Sequence, residues 1–244
     1  FQVFLREDNT YTYGEVGYFL YNFDFWGVGN HDSRPLENYR VNFPRIQLNY
    51  LTRVVGKQAH KTRTYFGGRY WFEQFKVVER VEGGRLDDGT TVGAYDNRTS
   101  AIGAVLLRDS RDTLFFPSKG VFQEFSVQYD NPLWGSNYRF LRLSADMSFY
   151  TTLPWKDIVA LYVYSVWNFG NVPFNKLAMI GGTKKMRGYY EGRFRDNNLV
   201  MLQAAYRKHL FWRLGIEAFG GVGSVFPENK ISEIGRLRYS GGAG

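Results

Sequence analysis

Long stretches of this chain alternate between apolar and polar residues with a period of two. The alternation runs over residues 44–53, 121–130, 138–153 and 199–208. Because successive side chains of a β-strand point to opposite faces, each stretch predicts a strand with one apolar and one polar face. The stretches reach about 10–15 residues, whereas strands in soluble proteins mostly have five or six. This length favours strands that cross a membrane.

The connections between the predicted strands fall into two length classes. The short ones are residues 8–10, 56–60, 154–157 and 209–212, and the long ones are residues 26–38, 82–97, 168–197 and 227–235. In outer-membrane barrels, short turns face the periplasm and long loops face the outside. Aromatic residues also cluster near the predicted strand ends, where the interfacial girdles of such barrels lie. We therefore predict one all-β domain over residues 1–244, an integral transmembrane antiparallel β-barrel of the bacterial outer membrane.

The number of strand signals is about eleven, which suits a single barrel, although bacterial single-chain barrels have even strand numbers. The chain begins within a predicted strand at residues 1–7 and stops at residues 240–244 as another strand begins. We therefore expect terminal strands of the barrel to be missing from this sequence.

Composition excludes several other classes of protein. The chain has no run of apolar residues long enough for a membrane-spanning helix, which needs about 20. It has no cysteine, which removes disulfides, thiolate catalysis and zinc–cysteine sites. The net charge of +8 comes from Lys and Arg scattered singly among aromatic residues. This pattern fits anionic outer-membrane lipid and lipopolysaccharide better than nucleic acid, which we do not expect as a partner.

Three segments carry more specific motifs. The first spans residues 108–120 and contains, in a turn before a strand, Asp109, Arg111, Asp112, Phe116, Pro117 and Gly120. The second spans residues 181–198 and contains the run Met186, Arg187, Gly188 and Tyr189. The third spans residues 203–226 and reads as the next two strands. In order and spacing, these segments resemble the BamA/TamA superfamily of outer-membrane barrels, the bacterial surface antigen family, over essentially the whole chain.

The resemblance implies a sixteen-stranded barrel, with twelve strands as the alternative. It implies that residues 108–120 form a periplasmic hairpin and that the long loop at residues 168–197 folds inward and partly occludes the lumen. In the family, the loop arginine is locked by acidic residues on the next two strands, but here those positions hold Ala205 and Gly221. The run at residues 219–223 also resembles the subgroup that lacks periplasmic polypeptide-transport-associated domains.

The strand alternation predicts which side chains face the lumen and which face lipid. The predicted lumen-facing residues are Arg142, Asp146, Gln203 and Glu217, and the predicted lipid-facing residues are Leu141, Leu143, Met147, Leu202 and Leu214.

With the usual acids absent, the expected partners of Arg187 are backbone carbonyls and water. Glu217 is less favoured because it lies about 13–14 Å from Gly221 along the strand, at about 3.4 Å per residue. The other acidic candidates are Asp146, Glu124, Glu191 and Asp196. We interpret Arg187 as a structural anchor of the loop, with direct handling of substrate polypeptide as the alternative.

No constellation of residues predicts an enzyme, a metal site or a cofactor. His31, His60 and His209 fall in predicted loops or turns, where we expect them to be solvated. The tripeptide 31–33 reads His-Asp-Ser, but adjacent residues cannot form the convergent chain that nucleophilic catalysis needs. Asp87 and Asp88 lie among glycines, and we interpret them as part of a polar loop rather than a calcium site.

Two classes of function remain. The first is a machine that inserts or translocates polypeptides at the outer membrane through a weak seam between its first and last strands, with substrate polypeptides as partners. The second is a barrel without transport domains that anchors another protein or joins a larger outer-membrane complex. A passive pore is the weaker third option, because the long loop would plug it.

Overall fold

The computed structural model describes residues 1–5, 9–31, 35–55, 62–212, 214–228 and 230–244. The turn predicted at residues 56–60 lies outside the described residues, as does His60, and so do the aspartate and serine of the tripeptide at residues 31–33. The turn predicted at residues 8–10 is described only in part.

Strands dominate the described part of the chain, which contains thirteen of them and three short 3₁₀ helices. The strands are β1 (Gln2–Leu5), β2 (Thr10–Phe25), β3 (Glu37–Val55), β4 (Arg63–Glu79), β5 (Asp96–Asp109), β6 (Gly120–Asp130), β7 (Phe140–Thr152), β8 (Ile158–Gly170), β9 (Ala178–Ile180), β10 (Phe194–Asp196), β11 (Asn198–Phe211), β12 (Leu214–Phe226) and β13 (Arg238–Ala243). The 3₁₀ helices span Pro132–Trp134, Phe174–Lys176 and Ile231–Gly235. None of the helices in the described ranges is long and apolar enough to cross a membrane.

Eleven of the described strands form one antiparallel sheet in the order β1-β2-β3-β4-β5-β6-β7-β8-β11-β12-β13. Strands β9 and β10 pair only with each other and form a hairpin within the long connection between β8 and β11. Over the described residues β1 and β13 do not pair, so the sheet stays open between them. The predicted all-β fold with about eleven visible strands is therefore confirmed, while the total of sixteen or twelve strands stays a prediction.

The two faces of the sheet differ as the alternation in the sequence predicts. On β11, Met201, Gln203 and Ala205 are buried, whereas Leu202 between them is 42% exposed. On β7 and β12, Leu143 and Leu214 are likewise exposed on the outer face, and Leu141 and Met147 are half-buried on that face. We call the face that carries Gln203 the inner face.

The sheet is strongly curled around its inner face. Tyr13 on β2 donates a hydrogen bond to Glu124 on β6 over 2.9 Å, and Arg69 on β4 donates to the same carboxylate over 2.6 Å. Strands β2 and β6 are separated by four strand-to-strand steps, which would be about 19 Å in a flat sheet at about 4.8 Å per step. Direct contacts between side chains of β2 and β6 therefore require a sheet that is curved as in a barrel.

The connection between β8 and β11 folds onto the inner face instead of extending away from the sheet. Phe174 from this connection is buried among Phe25, Tyr39 and Phe75, and its ring centroid lies 5.6 Å from that of Phe25. The loop after β2 also contacts the connection, because the Gly29 amide donates a hydrogen bond to the Arg195 carbonyl over 2.7 Å across an isolated bridge. We call residues 171–197 the inner loop, because their backbone fills the interior at the end of the sheet that carries the long connections.

Candidate functional site in the barrel interior

The tip of the inner loop is a tight turn around Arg187. Met186 and Gly188 both have positive φ angles, 60° and 106°, a region in which glycine carries no steric penalty. The turn is closed by a hydrogen bond from the Gly182 amide to the Tyr189 carbonyl over 3.0 Å. Tyr189 also donates its hydroxyl to the Tyr239 carbonyl on β13 over 2.8 Å. The tip is therefore held against the last three strands of the sheet, β11, β12 and β13.

Met186 packs in the place where the family pattern puts an acid. Its side chain is fully buried among apolar residues of the inner wall, Val166, Leu199 and Met201. A Cβ atom added to Gly221 would lie 3.3 Å from the Met186 sulfur. The missing side chain at Gly221 thus leaves the room that Met186 occupies.

Arg187 runs from this point along β12 towards the turn end of the sheet. Its amide donates to the Gln203 side-chain oxygen over 3.2 Å, and its guanidinium lies 3.8 Å from the ring centroid of Phe219. Beyond that ring, Nη1 donates to Glu217 Oε1 over 2.6 Å. Arg187 therefore forms an ion pair with a carboxylate of the barrel wall.

The preference for backbone carbonyls and water as partners of Arg187 is therefore wrong. The separation between Glu217 and Gly221 along the strand is not a gap that the glutamate side chain has to cross alone. The Arg187 backbone does sit near the level of Gly221, because Gln203 and Gly221 are cross-strand partners. The arginine and glutamate side chains then extend towards each other along the strand, with the Phe219 ring as the surface under the guanidinium.

Glu217 is shared with a second arginine that the sequence analysis did not single out. Arg207 is the cross-strand neighbour of Glu217, and its Nε donates to Glu217 Oε2 over 2.6 Å. Its guanidinium also lies 5.1 Å from the ring centroid of Phe116, in the turn between β5 and β6. The alternation along β11 puts Arg207 on the inner face, but only the register between β11 and β12 reveals that it faces Glu217.

The turn between β5 and β6 is built by the residues of the first motif. Arg111 donates to both oxygens of Asp109 over 3.0 and 2.7 Å. A Cβ at Gly120, where φ is 104°, would lie 2.2 Å from the Ser110 carbonyl oxygen, so this position requires glycine. Pro117 is buried, whereas Phe116 is exposed apart from its contact with Arg207.

Asp112 organises the same turn. Its carboxylate accepts hydrogen bonds from the Ser118 hydroxyl and from the backbone amides of Thr113, Ser118 and Lys119. The Ser118 hydroxyl and these amides stabilise the charged form and lower the pKa of Asp112 to about 2. We call residues 110–119 the turn-end hairpin.

A cavity of about 530 Å³ lies between the loop tip and the turn-end hairpin. We call it the chamber. Its charged lining residues are Arg111, Glu124, Asp146, Lys184, Arg187 and Arg207, and its polar lining residues include Ser148 and Gln203. Asp146 accepts a hydrogen bond from Tyr162 over 3.3 Å. The chamber thus brings together the sequence candidates Asp146, Arg187 and Gln203 with Arg207, and Glu217 lies at its edge through its contacts with both arginines.

The other sequence candidates lie away from this chamber. His31 is exposed, and His209 is exposed with its Nε2 2.9 Å from the Trp212 carbonyl oxygen. Asp87 pairs with Arg80 over 2.7 Å, and Asp88 accepts from the Thr90 amide over 2.8 Å. Within the described ranges, no group of three or more potential metal-ligating side chains converges.

Comparisons with known proteins agree with this fold. The model of the Omp85 superfamily domain matches residues 7–244, while no curated protein sequence matches the chain. Among solved structures, BamA from Haemophilus ducreyi lacking POTRA domains 1–3 is similar with a TM-score of 0.60 at 15% identity, over 98% of this chain and 53% of that one. CdiB from Escherichia coli is similar with a TM-score of 0.65 at 11% identity, over 97% of this chain and 43% of that one. The chain therefore spans about half the length of these structures.

The resemblance to the BamA/TamA superfamily is confirmed by the match of the domain model, which covers nearly the whole chain. The chain belongs to the Omp85 superfamily of integral outer-membrane β-barrel proteins.

Proposed function

We propose that this barrel inserts or translocates polypeptides at the outer membrane, with the chamber as the place where the polypeptide is first held. The observation that carries the proposal is the division of the interior. The end with the long loops is filled by apolar clusters around Phe174 and Met186, whereas the turn end contains the polar chamber. A barrel for passive diffusion needs a continuous aqueous path, whereas here apolar side chains of the inner loop pack against the inner face at the loop end.

The lining of the chamber suits an extended polypeptide better than a small solute. Lys184, Arg187 and Arg207 provide donors, and Glu124 and Asp146 provide acceptors. An extended chain presents both amide donors and carbonyl acceptors in every residue. Side chains of both signs can therefore pair with the backbone of many different sequences, which is what a general polypeptide-handling barrel requires.

Reconstitution of the full-length protein into liposomes tests the proposal. A urea-denatured outer-membrane barrel protein is diluted into the vesicles, and its folding is followed by heat-modifiable mobility on gels. Transfer of an extended polypeptide into the vesicles is followed by protection from added protease. We expect the protein to accelerate one of these processes, and Glu217→Gln to reduce that acceleration while Glu82→Gln, in an exposed loop, leaves it unchanged.

Absence of both insertion and transfer, in vesicles that contain correctly folded protein, would contradict the proposal. That result would favour the second class of function, a membrane anchor or a structural partner in a larger complex.

A further inference from the structure

The inner loop makes a second charged contact with the barrel wall, far from its tip. Its 3₁₀ helix Phe174–Lys176 lies against β4, where Lys176 Nζ is 3.1 Å from Glu73 Oε1. Asn175 donates its side-chain amide to the same oxygen over 3.0 Å. Arg45 on β3 donates Nε to the other oxygen over 2.8 Å. Both oxygens of Glu73 therefore have partners, and two of the three partner residues belong to the loop.

This contact is largely buried, and neighbouring residues add further contacts to it. The Glu73 side chain is only 2% exposed. Lys176 Nζ lies 4.6 Å from the ring centroid of Trp71, and the Lys176 carbonyl accepts a hydrogen bond from Arg142 on β7 over 2.7 Å. Phe174, two residues earlier, is buried in the adjacent apolar cluster. Separating charged partners in such a place is costly, because water cannot replace them.

The contact at the tip is more exposed to solvent than the contact at Glu73. The side chains of Arg187 and Glu217 are 30% and 24% exposed, and the pair borders the chamber. Glu217 also lies near the turn end of β12, whereas Glu73 lies in the half of β4 that leads to a long loop. The two contacts therefore hold the loop at different depths and on walls that are far apart in the strand order.

We propose that Glu73 is a positioning residue that holds the base of the inner loop independently of Arg187, so that the tip opens alone while the base stays docked. The Glu73–Lys176–Asn175 cluster is the fixed end, and the pair of Arg187 with Glu217 is the releasable end. This inference concerns the movement of the loop and stands whether or not the proposed function is correct.

Two reporters distinguish the base of the loop from its tip. Trypsin cleavage after Lys184 and Lys185, identified by fragment mass, reports on the tip. Labelling of Leu177→Cys with a maleimide reports on the base, because Leu177 is 6% exposed in the cluster of Phe174 and the chain has no other cysteine. Both reactions are run on the folded full-length protein in liposomes, and heat-modifiable gel mobility confirms that each variant has folded.

Arg187→Ala is expected to accelerate cleavage at the tip by about tenfold or more, the factor that corresponds to about 1.4 kcal/mol, and to leave labelling of Leu177→Cys unchanged. Lys176→Met is expected to accelerate labelling of Leu177→Cys by a similar factor. Lys176→Arg, which keeps a cation beside Glu73, is expected to restore slow labelling. A structural defect unrelated to charge would not be repaired by this conservative change.

Two results would overturn the inference. One is that Arg187→Ala exposes the base to the same extent as the tip, or exposes neither. The other is that Lys176→Met leaves labelling of Leu177→Cys as slow as in the protein with Lys176, since the base would then be held by something other than the Glu73 cluster.

Discussion

At the scale of single residues, Glu217 is the carboxylate on which the loop tip depends. It accepts from Arg187 through one oxygen and from Arg207 through the other, each over 2.6 Å. The two guanidinium groups cannot deprotonate, so each needs a negative partner or water near the barrel wall. A single acid therefore does here what the family pattern assigns to acids at the positions of Ala205 and Gly221.

Glu217→Gln is expected to loosen the loop tip, because the neutral amide cannot balance two guanidinium groups. Hydrogen bonds to charged groups contribute about 1.5–3 kcal/mol each, and the lower end applies to a pair that is partly exposed. The measurement is trypsin cleavage after Lys184 and Lys185 in folded protein. Glu82→Gln is the matched control, since the same chemical change is made in an exposed loop. Equal cleavage of the two variants would mean that the ion pair does not hold the tip.

Asp112 makes the turn-end hairpin dependent on pH only under strongly acidic conditions. Its pKa in the folded protein, about 2, lies below its ordinary value of 3.8. The stabilisation is therefore complete above the ordinary value and is lost as the pH falls through about 2. We expect the hairpin to keep its structure at every pH from neutral down to about 4.

Pepsin, which is active in acid, can test this dependence by cleaving between Phe115 and Phe116. Cleavage, normalised to a free peptide of the same sequence, is expected to be slow near pH 4 and to rise towards pH 2, following the titration of Asp112. Asp112→Asn is expected to abolish the dependence and to be cleaved quickly throughout. A parent protein whose normalised cleavage does not change over this interval would contradict the assignment.

At the scale of elements, the alternation along each strand separates a face towards lipid from a face towards the interior. On β7, Leu143 is 37% exposed on the outer face, and Ser148 lines the chamber on the inner face. Charge on a lipid-facing position near the bilayer midplane costs about 2–4 kcal/mol, whereas an inner position can be solvated.

Leu143→Arg is therefore expected to lower the free energy of unfolding by about 2–4 kcal/mol and to impair assembly into the membrane. Ser148→Arg, on the same strand, is expected to assemble normally because its side chain enters the polar chamber. Ser148 is a better control than Ser144, whose hydroxyl is 2.7 Å from that of Ser126. The amounts of folded protein in the outer membrane are compared, and equal loss for both variants would refute the assignment of faces.

The strands themselves could be predicted closely where their alternation is regular. The stretches at residues 121–130 and 138–153 correspond to β6 and β7 within two residues at each end. By contrast, the stretch at residues 44–53 covers only part of β3, which begins at Glu37. The missed part contains Val41 and Phe43, which are buried against the inner loop. The period of two continues through this part, but its phase is inverted, because the residues that face the packed inner loop are apolar and the residues between them, such as Arg40 and Asn42, are polar.

At the scale of the whole molecule, the inner loop occupies interior space that would be open in a porin. Its apolar clusters fill the interior at the loop end, and its two charged contacts hold it to β4 and to β12. We expect the full-length protein in planar bilayers to conduct far less than an open porin of similar strand number.

Conductance is expected to rise when both contacts of the inner loop are removed together, in a variant that combines Arg187→Ala with Lys176→Met. Either change alone is expected to have a smaller effect, because the remaining contact keeps the loop inside. Conductance of the parent protein at the level of an open porin would contradict the packing of the loop. Single-channel recordings distinguish a steady open level from brief openings of the tip.

The class of the fold and the faces of the strands could be predicted from periodicity and from the lengths of the connections. The position of the turn-end hairpin and the segment that folds inward were implied by motifs that resemble a known family, such as the one that ends at Gly120. All of them depend on residues close together in the chain. Strand alternation therefore placed Glu217 and Gln203 on the inner face without any knowledge of what they contact.

Only the tertiary structure decided which charges meet. Arg187 and Glu217 are 30 positions apart, and Asn175 and Glu73 are 102 apart. Whether such residues touch depends on the curl of the sheet, on the register between β11 and β12 and on the path of the inner loop. Each of these is set by the packing of many side chains at once, so a single strand spacing could not reveal that Arg187 reaches Glu217 across the Phe219 ring.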